Sequence, residues 1–494
     1  MSHPDHAVGA RRSGAESLVL GALLLLVAAV PLISGRTTAA SLPLEPVIAG
    51  MALVLVAAVP FLRRLGARRL PSYPLEVPAL VFLAIAALSV VFARYVGQAL
   101  LTWLRYAMYL ALPVAVAAVS VRASNRRLLS WAFMGSGAAT MAVAAYQLLV
   151  PSAANTQFGF EGVRVRVFSV FLNPNPYSEY LLFYIALALA LALTEKRAPR
   201  VVAGVLLVLA CGTLGMTYTR GSWIGLIAGG LVGMLLLDFR ALTAFLAACV
   251  VALLAIPGAL TRFLSGLSVG DSTQSRVSLW RLALYMIAKS PVIGVGIGGY
   301  PAAIEAEVAV HPEMAAGLDA LKPHNSFLLL AAEIGVIGGI AFIWLVWRAC
   351  RIGFVIGELA RGDARLRAEN ACYTLGTVAF AVSALTNNSF QNPRAAVFFW
   401  IILGVQFGAA SKVMPRTAGE SATGAPDVAT GDHGVPPALR PARDSWRRTI
   451  LHRWLVAPPR TGGTLLAGSR LGHVLFGDGA AESADLADWE VKAG

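Results

Sequence analysis

The stretch Pro323-His324-Asn325 followed by SFLLLAAEIGVIGGIAFIWLV, residues 326–346, decides the fold class. An α-helix rises 1.5 Å per residue, so about 20 apolar residues in a row are what it needs to cross the hydrocarbon core of a bilayer. His324 is then a titratable group at the mouth of a membrane helix. Ionisable side chains are costly there and mark function by default. The competing reading is a histidine that caps the helix or packs at headgroup level. Nine residues separate Asn325 from Gly335, and Gly338 follows at a further step of three.

Working outward, similar runs recur along the chain. Apolar residues make up 57% of it, charged residues only 13%, and the mean hydropathy is +0.70. No soluble core absorbs that many long apolar runs, so the chain is expected to be an all-α polytopic membrane protein. Twelve spans are expected, at about 15–34, 46–62, 76–93, 99–120, 128–150, 179–194, 201–218, 222–237, 241–261, 325–347, 371–387 and 395–411. The seventh and eighth are short and separated by only a few polar residues.

Arginine and lysine set the expected orientation. Arg63, Arg64, Arg68 and Arg69 form one basic cluster, Arg122, Arg126 and Arg127 a second, and Lys196, Arg197 and Arg200 a third. Arg348, Arg351, Arg361, Arg365 and Arg367 form a fourth, and all four alternate with loops poor in basic residues. The positive-inside rule puts the rich loops, and with them both termini, in the cytoplasm. Much of the +14 net charge is thereby topogenic. No basic face with interleaved aromatics is present, which argues against a nucleic-acid partner. The first span follows Arg11 and Arg12 but lacks a small-residue cleavage site, and reads as a retained helix after a cytoplasmic N-terminus, 1–14.

This topology leaves two substantial outer loops, 151–178 and 262–323, the second leading into His324 and lying before the tenth span. A connection of about 60 residues is far longer than helix connections usually are, and such loops commonly carry function. Within it, residues 275–288 have helical spacing, with Leu279, Leu282, Tyr285 and Met286 on one side. That pattern predicts a helix lying along the membrane surface.

Three outer basic residues stand apart from the topogenic ones. Arg220 lies in Thr219-Arg220-Gly221-Ser222-Trp223, a break between two apolar runs, and Arg276 and Arg281 lie on the amphipathic stretch. A guanidinium is a fixed fork of donors that matches phosphate oxygens and keeps its charge at any working pH. For each arginine alone, snorkelling to lipid headgroups competes with that reading.

Other chemistry is thin. Asp271, Glu305, Glu307, Glu313 and Asp319 are scattered through the long loop without a paired-acid motif, so no metal site and no cofactor are expected. His311, the other outer histidine, reads as a loop-surface residue. Cys211, Cys249, Cys350 and Cys372 fall in spans or at their cytoplasmic ends and suggest neither disulfides nor a thiolate site. Gly294-Val295-Gly296-Ile297-Gly298-Gly299 fits the dinucleotide-binding glycine pattern, yet it follows no strand of a βαβ unit. A tight, close-packed turn is expected there instead.

Four pieces in order resemble the signature of the O-antigen ligase and polymerase superfamily. They are Asn173-Pro174-Asn175-Pro176-Tyr177-Ser178-Glu179-Tyr180-Leu181, the Thr219–Trp223 break, Trp280 followed by Pro291-Val292-Ile293-Gly294-Val295-Gly296, and His324-Asn325 with Gly335-Val336-Ile337-Gly338. The likeness covers roughly 15–412, with its motifs between about 170 and 345. It implies a GT-C-like membrane glycosyltransferase domain. Its donor would be an undecaprenyl pyrophosphate-linked glycan, transferred to an acceptor hydroxyl on the outer face of the inner membrane. Carried over, His324 would activate the acceptor and Arg220 and Arg276 would hold the pyrophosphate, with Arg281 the second candidate for the latter position. Asn173, Asn175, Asn325, Gly335 and Gly338 would support them, and transfer is expected to be metal-independent. A polysaccharide polymerase and a protein O-oligosaccharyltransferase fit the same motifs, and the acceptor, lipid or glycan, is not legible. A transporter is the reading from another class. It predicts pseudo-symmetric halves around a midplane site, whereas no internal repeat is visible and the polar residues gather toward one face.

The tail changes character. Residues 413–444 are rich in Pro, Gly, Ala, Thr and Asp and read as a disordered cytoplasmic linker within the tail 413–494. Trp446, Ile450 and Trp454 then recur at four-residue steps amid arginines, the pattern of an interfacial helix at 445–456 or of an unstructured appendage.

Overall fold

The computed structural model describes residues 12–33, 46–66, 71, 73–152, 156–159, 163, 165–238, scattered positions between 240 and 251, 271–315 and 321–414. These residues are helical throughout, without a β-strand among them. In chain order the helices are α1 (Gly14–Ala29), α2 (Pro46–Leu65), α3 (Glu76–Val91), α4 (Val96–Ser120), α5 (Ala123–Leu149) and α6 (Pro174–Thr194). They continue as α7 (Arg197–Met216), α8 (Arg220–Leu237), α9 (Asp271–Lys289), α10 (Tyr300–Val310), α11 (Ser326–Leu359), α12 (Ala364–Ser383) and α13 (Pro393–Ala410).

Among the described residues, nine helices are long and apolar enough to cross a membrane: α1 with the 3-10 turn that extends it, α2, α4 to α8, α11 and α13. The chain is an all-α polytopic membrane protein. Two more of the expected spans fall on α3, which has 16 residues, and on α12, whose first turns carry Arg365, Arg367 and Glu369. The ninth, 241–261, lies largely outside the described residues, as do the linker and the helix expected at 445–456.

Helix ends differ from the hydropathy limits where capping overrides apolarity. Helix α6 starts five residues before the expected 179, because Asn173 caps it and Pro174 supplies a φ already suited to the first turn. Helix α11 runs 34 residues, well past Val346, because backbone hydrogen bonding continues where apolarity stops. Helix α12 starts early, on the Asp363 cap, which accepts from the Leu366 amide at 2.9 Å. It stops at Ser383, ahead of the run Thr386-Asn387-Asn388-Ser389, whose short polar side chains compete for backbone groups.

One correction concerns the long loop. It folds into α9 and α10, and the apolar face of α9 is covered by protein: Leu282, Ala283 and Met286 pack with Tyr300, Ile304, Leu329 and Ala332. Tyr285 is not part of that face. It is exposed, and its hydroxyl donates to Glu307 at 2.7 Å, beside the Lys289–Glu307 ion pair at 2.6 Å.

Two packing features fix the frame. Helix α8 lies along α12 through Gly221, Gly225, Gly229 and Gly233, one glycine per turn, so close that an added Cβ at any of them would run into α12 or the chain just beyond it. Small residues at this spacing let helix backbones approach where lipid supplies no hydrophobic drive. Phe342, Phe380, Phe390, Phe399 and Trp400, joined by edge-on ring contacts near 5 Å, fill the space between α11, α12 and α13. The basic clusters gather at the opposite end of the bundle from His324, and several of their arginines are paired there. Arg122 meets Glu16 at 3.1 Å, Arg126 meets the buried Glu369 at 3.2 Å, and Arg127 meets Glu195 at 2.6 Å.

Replacing Gly229 by Leu should therefore separate α8 from α12. Overpacking of this kind costs roughly 1–3 kcal/mol or more. The thermal unfolding midpoint in detergent should fall, whereas Gly212→Leu, whose glycine meets nothing within 4 Å, should leave it unchanged. Equal midpoints for both variants would refute the seam.

Candidate functional site

His324 sits one residue before the Asn325 cap of α11, with a left-handed φ of +47°. A non-glycine residue in that region stores on the order of 1 kcal/mol or more of strain and persists only when its surroundings hold it. The surroundings are specific. The Asn325 side chain accepts from the amides of Phe327 and Leu328 at 3.0 and 3.1 Å, and the Asn325 amide donates to Asn388 at 3.2 Å. The Ser326 amide donates to the carbonyls of Ala384 and Asn387, and its hydroxyl donates to the latter and accepts from the Phe390 amide. The connection 384–392 between α12 and α13 thus grips the start of α11.

Arg276 reaches this histidine from α9, and Arg220 at the start of α8 reaches Arg276 in turn. The charge of Arg276 acts on His324, and the charge of Arg220 acts on Arg276. Burial first, then Arg276 and Lys322, push the His324 imidazole below the ordinary histidine range. Burial and then Arg220 likewise lower Arg276, which stays charged at neutral pH all the same. On α9, Arg276 falls on the stripe of Leu279, Ala283 and Met286, which is buried. Arg281 is about 140° farther round at 3.6 residues per turn, and is exposed. The structure thus brings Arg220, Arg276 and His324 together and leaves Arg281 at the surface.

The turn that presents Arg220 is clamped by Arg166, which donates to the Thr217 carbonyl at 2.8 Å and to the Thr219 hydroxyl at 3.3 Å. Asn173 caps α6 by accepting from the Asn175 amide at 2.9 Å, and the Asn175 side chain accepts from Thr219 at 3.4 Å. Beneath them Ser178, Ser222, Ser383 and Asn387 form a buried ladder with steps of 2.7, 3.2 and 3.2 Å, linking α6, α8 and α12.

A cavity of about 750 Å³ opens beside His324, lined also by Arg105, Lys322, Asn173, Asn175, Glu179 and Glu333. Glu179 accepts from Ser389 at 2.7 Å, and Glu333 accepts from the amides of Gly298 and Tyr300. The expected glycine turn is present: Gly294, Gly296 and Gly298 all have positive φ. It docks against a kink in α11 at Ile334 and Gly335, where Gly335 has φ +77° and an added Cβ would strike the backbone of Val292. Val295 and Val336 donate across this junction to Ala332 and Pro291 at 3.0 and 2.8 Å. Gly338 lies one turn on, where an added Cβ would strike only the Ile334 side chain. No group of three or more His, Cys, Asp or Glu side chains suited to a metal converges among the described residues.

Fold and site together define a polytopic helical membrane protein with a polar cavity and a cationic cluster at one end of its bundle. Residues 205–343 match the O-antigen ligase family, which supports the resemblance that the motifs carry to the O-antigen ligase and polymerase superfamily. Members are membrane glycosyltransferase-like ligases and polymerases that act on lipid-linked glycans. No curated protein matches the chain. The matched region holds Arg220, Arg276, Arg281, His324, Asn325, Gly335 and Gly338, while Asn173, Asn175 and the 384–392 connection lie outside it.

Sequence reasoning missed Arg105, Arg166, Glu179, Glu333 and the 384–392 connection. A signal for the last was present: Asn387, Asn388, Ser389, Gln391 and Asn392 crowd between two apolar helices, where polar side chains need protein partners. Because Arg276 helps to lower His324, Arg276→Gln should raise the imidazole pKa toward the free value. A proton titration of His324 by NMR should show the midpoint moving up, and an unmoved midpoint would separate the two side chains.

Proposed function

We propose that this protein transfers a glycan from an undecaprenyl pyrophosphate carrier to an acceptor hydroxyl on the outer face of the inner membrane, as O-antigen ligases do. The observation that carries the reading is the chain of charge from Arg220 to Arg276 to a cavity-lining, half-buried His324 whose pKa is lowered. An imidazole held neutral at working pH is a competent general base. It takes the acceptor O–H proton as the acceptor oxygen bonds the anomeric carbon. The anomeric carbon–oxygen bond to the pyrophosphate breaks, and its electron pair leaves with the carrier. Arg220 and Arg276 stabilise the charge gathering on that pyrophosphate. Because the neutral imidazole is the active form, activity should persist below the ordinary histidine pKa and fall only at more acid pH.

Asn also tolerates left-handed backbone, so His324→Asn removes the base with little disturbance of the chain. Loss of a general base typically costs about 10²–10⁴ in rate. The variant should accumulate normally and lose transfer of glycan from purified carrier-linked donor in detergent. EDTA should leave wild-type transfer intact, in keeping with cationic side chains as the charge stabilisers. Transfer by His324→Asn at the wild-type rate would reject the assignment of the base, and EDTA-sensitive transfer restored by a divalent ion would reject metal independence.

A further inference from the structure

Arg105 is a cation inside a membrane helix that neither the motifs nor the proposed chemistry uses. It lies nine residues past the first residue of α4, about 13 Å along the axis at 1.5 Å per residue. Its Nε is buried and has no hydrogen-bond partner, and it forms no ion pair among the described residues. An arginine at such depth is costly unless it meets an anion. One acid of the cavity is committed elsewhere: Glu333 feels the charges of Arg105 and Lys322 but is already bonded by two backbone amides.

Arg105 lines the same cavity as His324 and Lys322, whereas Arg220 and Arg276 do not line it. The cavity therefore offers a second set of cations, distinct from the pair assigned to the donor. One part of its wall is apolar, made by Ile48 and Ala52 of α2 and Leu101, Leu104 and Met108 of α4. Leu101 and Leu104 are exposed rather than buried, so this wall is open to an apolar occupant.

We infer that Arg105, assisted by Lys322, binds a phosphate of a lipid-anchored acceptor whose chain lies along the α2–α4 wall and whose hydroxyl reaches His324. The inference rests on the proposed transfer reaction and deepens it. A fork of donors suits phosphate oxygens, the apolar wall suits a hydrocarbon chain, and a peptide acceptor brings neither feature. The phosphate could sit on the sugars of a glycolipid or on a polyprenyl carrier bearing a growing saccharide. Either makes the acceptor an anionic lipid rather than a protein.

The test is equilibrium binding to the purified full chain in detergent, which needs no turnover. The probes are lipid A, with phosphates on its sugars, the same lipid enzymatically dephosphorylated, and undecaprenyl phosphate. Arg105→Gln should weaken lipid A or undecaprenyl phosphate by about tenfold or more, as expected for loss of a charge-assisted hydrogen bond. Arg105→Lys should recover part of that loss, and whichever probe responds identifies the source of the phosphate. Arg276→Gln should leave the Arg105-dependent binding intact, and dephosphorylated lipid A should bind wild type and Arg105→Gln alike. Unchanged binding of both phosphorylated probes would overturn the inference. So would equal losses in Arg105→Gln and Arg276→Gln, which would place Arg105 in the donor cluster. Transfer that survives in His324→Asn while Arg105-dependent binding persists would defeat the proposed base and leave this subsite standing.

Discussion

Ser326 is bonded on every polar side to the connection between α12 and α13, and the placement of the site depends on that knot. Its amide, hydroxyl and carbonyl engage Ala384, Asn387, Phe390 and Gln391. In hydrocarbon no water can replace such partners, so the knot is enforced by the cost of leaving any one of them unmet. Two residues upstream, His324 is held in a conformation that it would not keep in a free chain.

The two ends of the bundle treat charge in opposite ways. At the basic end, buried Glu369 takes both Arg126 and Arg365, and Arg122 and Arg127 pair with Glu16 and Glu195. Around the cavity, Glu179 and Glu333 are bonded by a hydroxyl and by backbone amides rather than by arginine. That leaves cationic side chains there available to anions from outside the protein. Arginines of the same chemistry thus serve as internal clasps at one end and are the proposed binding groups at the other, according to which acids the fold brings within reach.

Much of this was legible in the sequence, for identifiable reasons. Membrane helices announce themselves because a bilayer imposes a length and an apolar composition, and α7 and α8 were separable by the polar break at Thr219–Trp223. Arg220, Arg276 and His324 could be nominated because they lie on the expected outer side, apart from the basic clusters that set the topology. The choice between Arg276 and Arg281 was not legible, since both lie on one amphipathic stretch and only packing against α10 and α11 decides which side is covered. Tyr285 was misassigned for the same reason: its ring counts as apolar in a pattern, yet its hydroxyl has a carboxylate to bond. Glu333 and Arg105 stayed hidden because each is one polar residue within an otherwise apolar run, and the cavity that joins them is made by elements more than 200 residues apart.

The glycine seam between α8 and α12 has a further consequence, which concerns length rather than composition. Arg220 is the first residue of α8, and the seam begins at the very next position and repeats every fourth residue to Gly233. One residue inserted within that interval would turn the arginine by about 100° relative to the anchored part of the helix. The aim of the guanidinium is therefore written into a count of residues, and this helix should accept substitutions on its lipid face far more readily than any change in its number of turns.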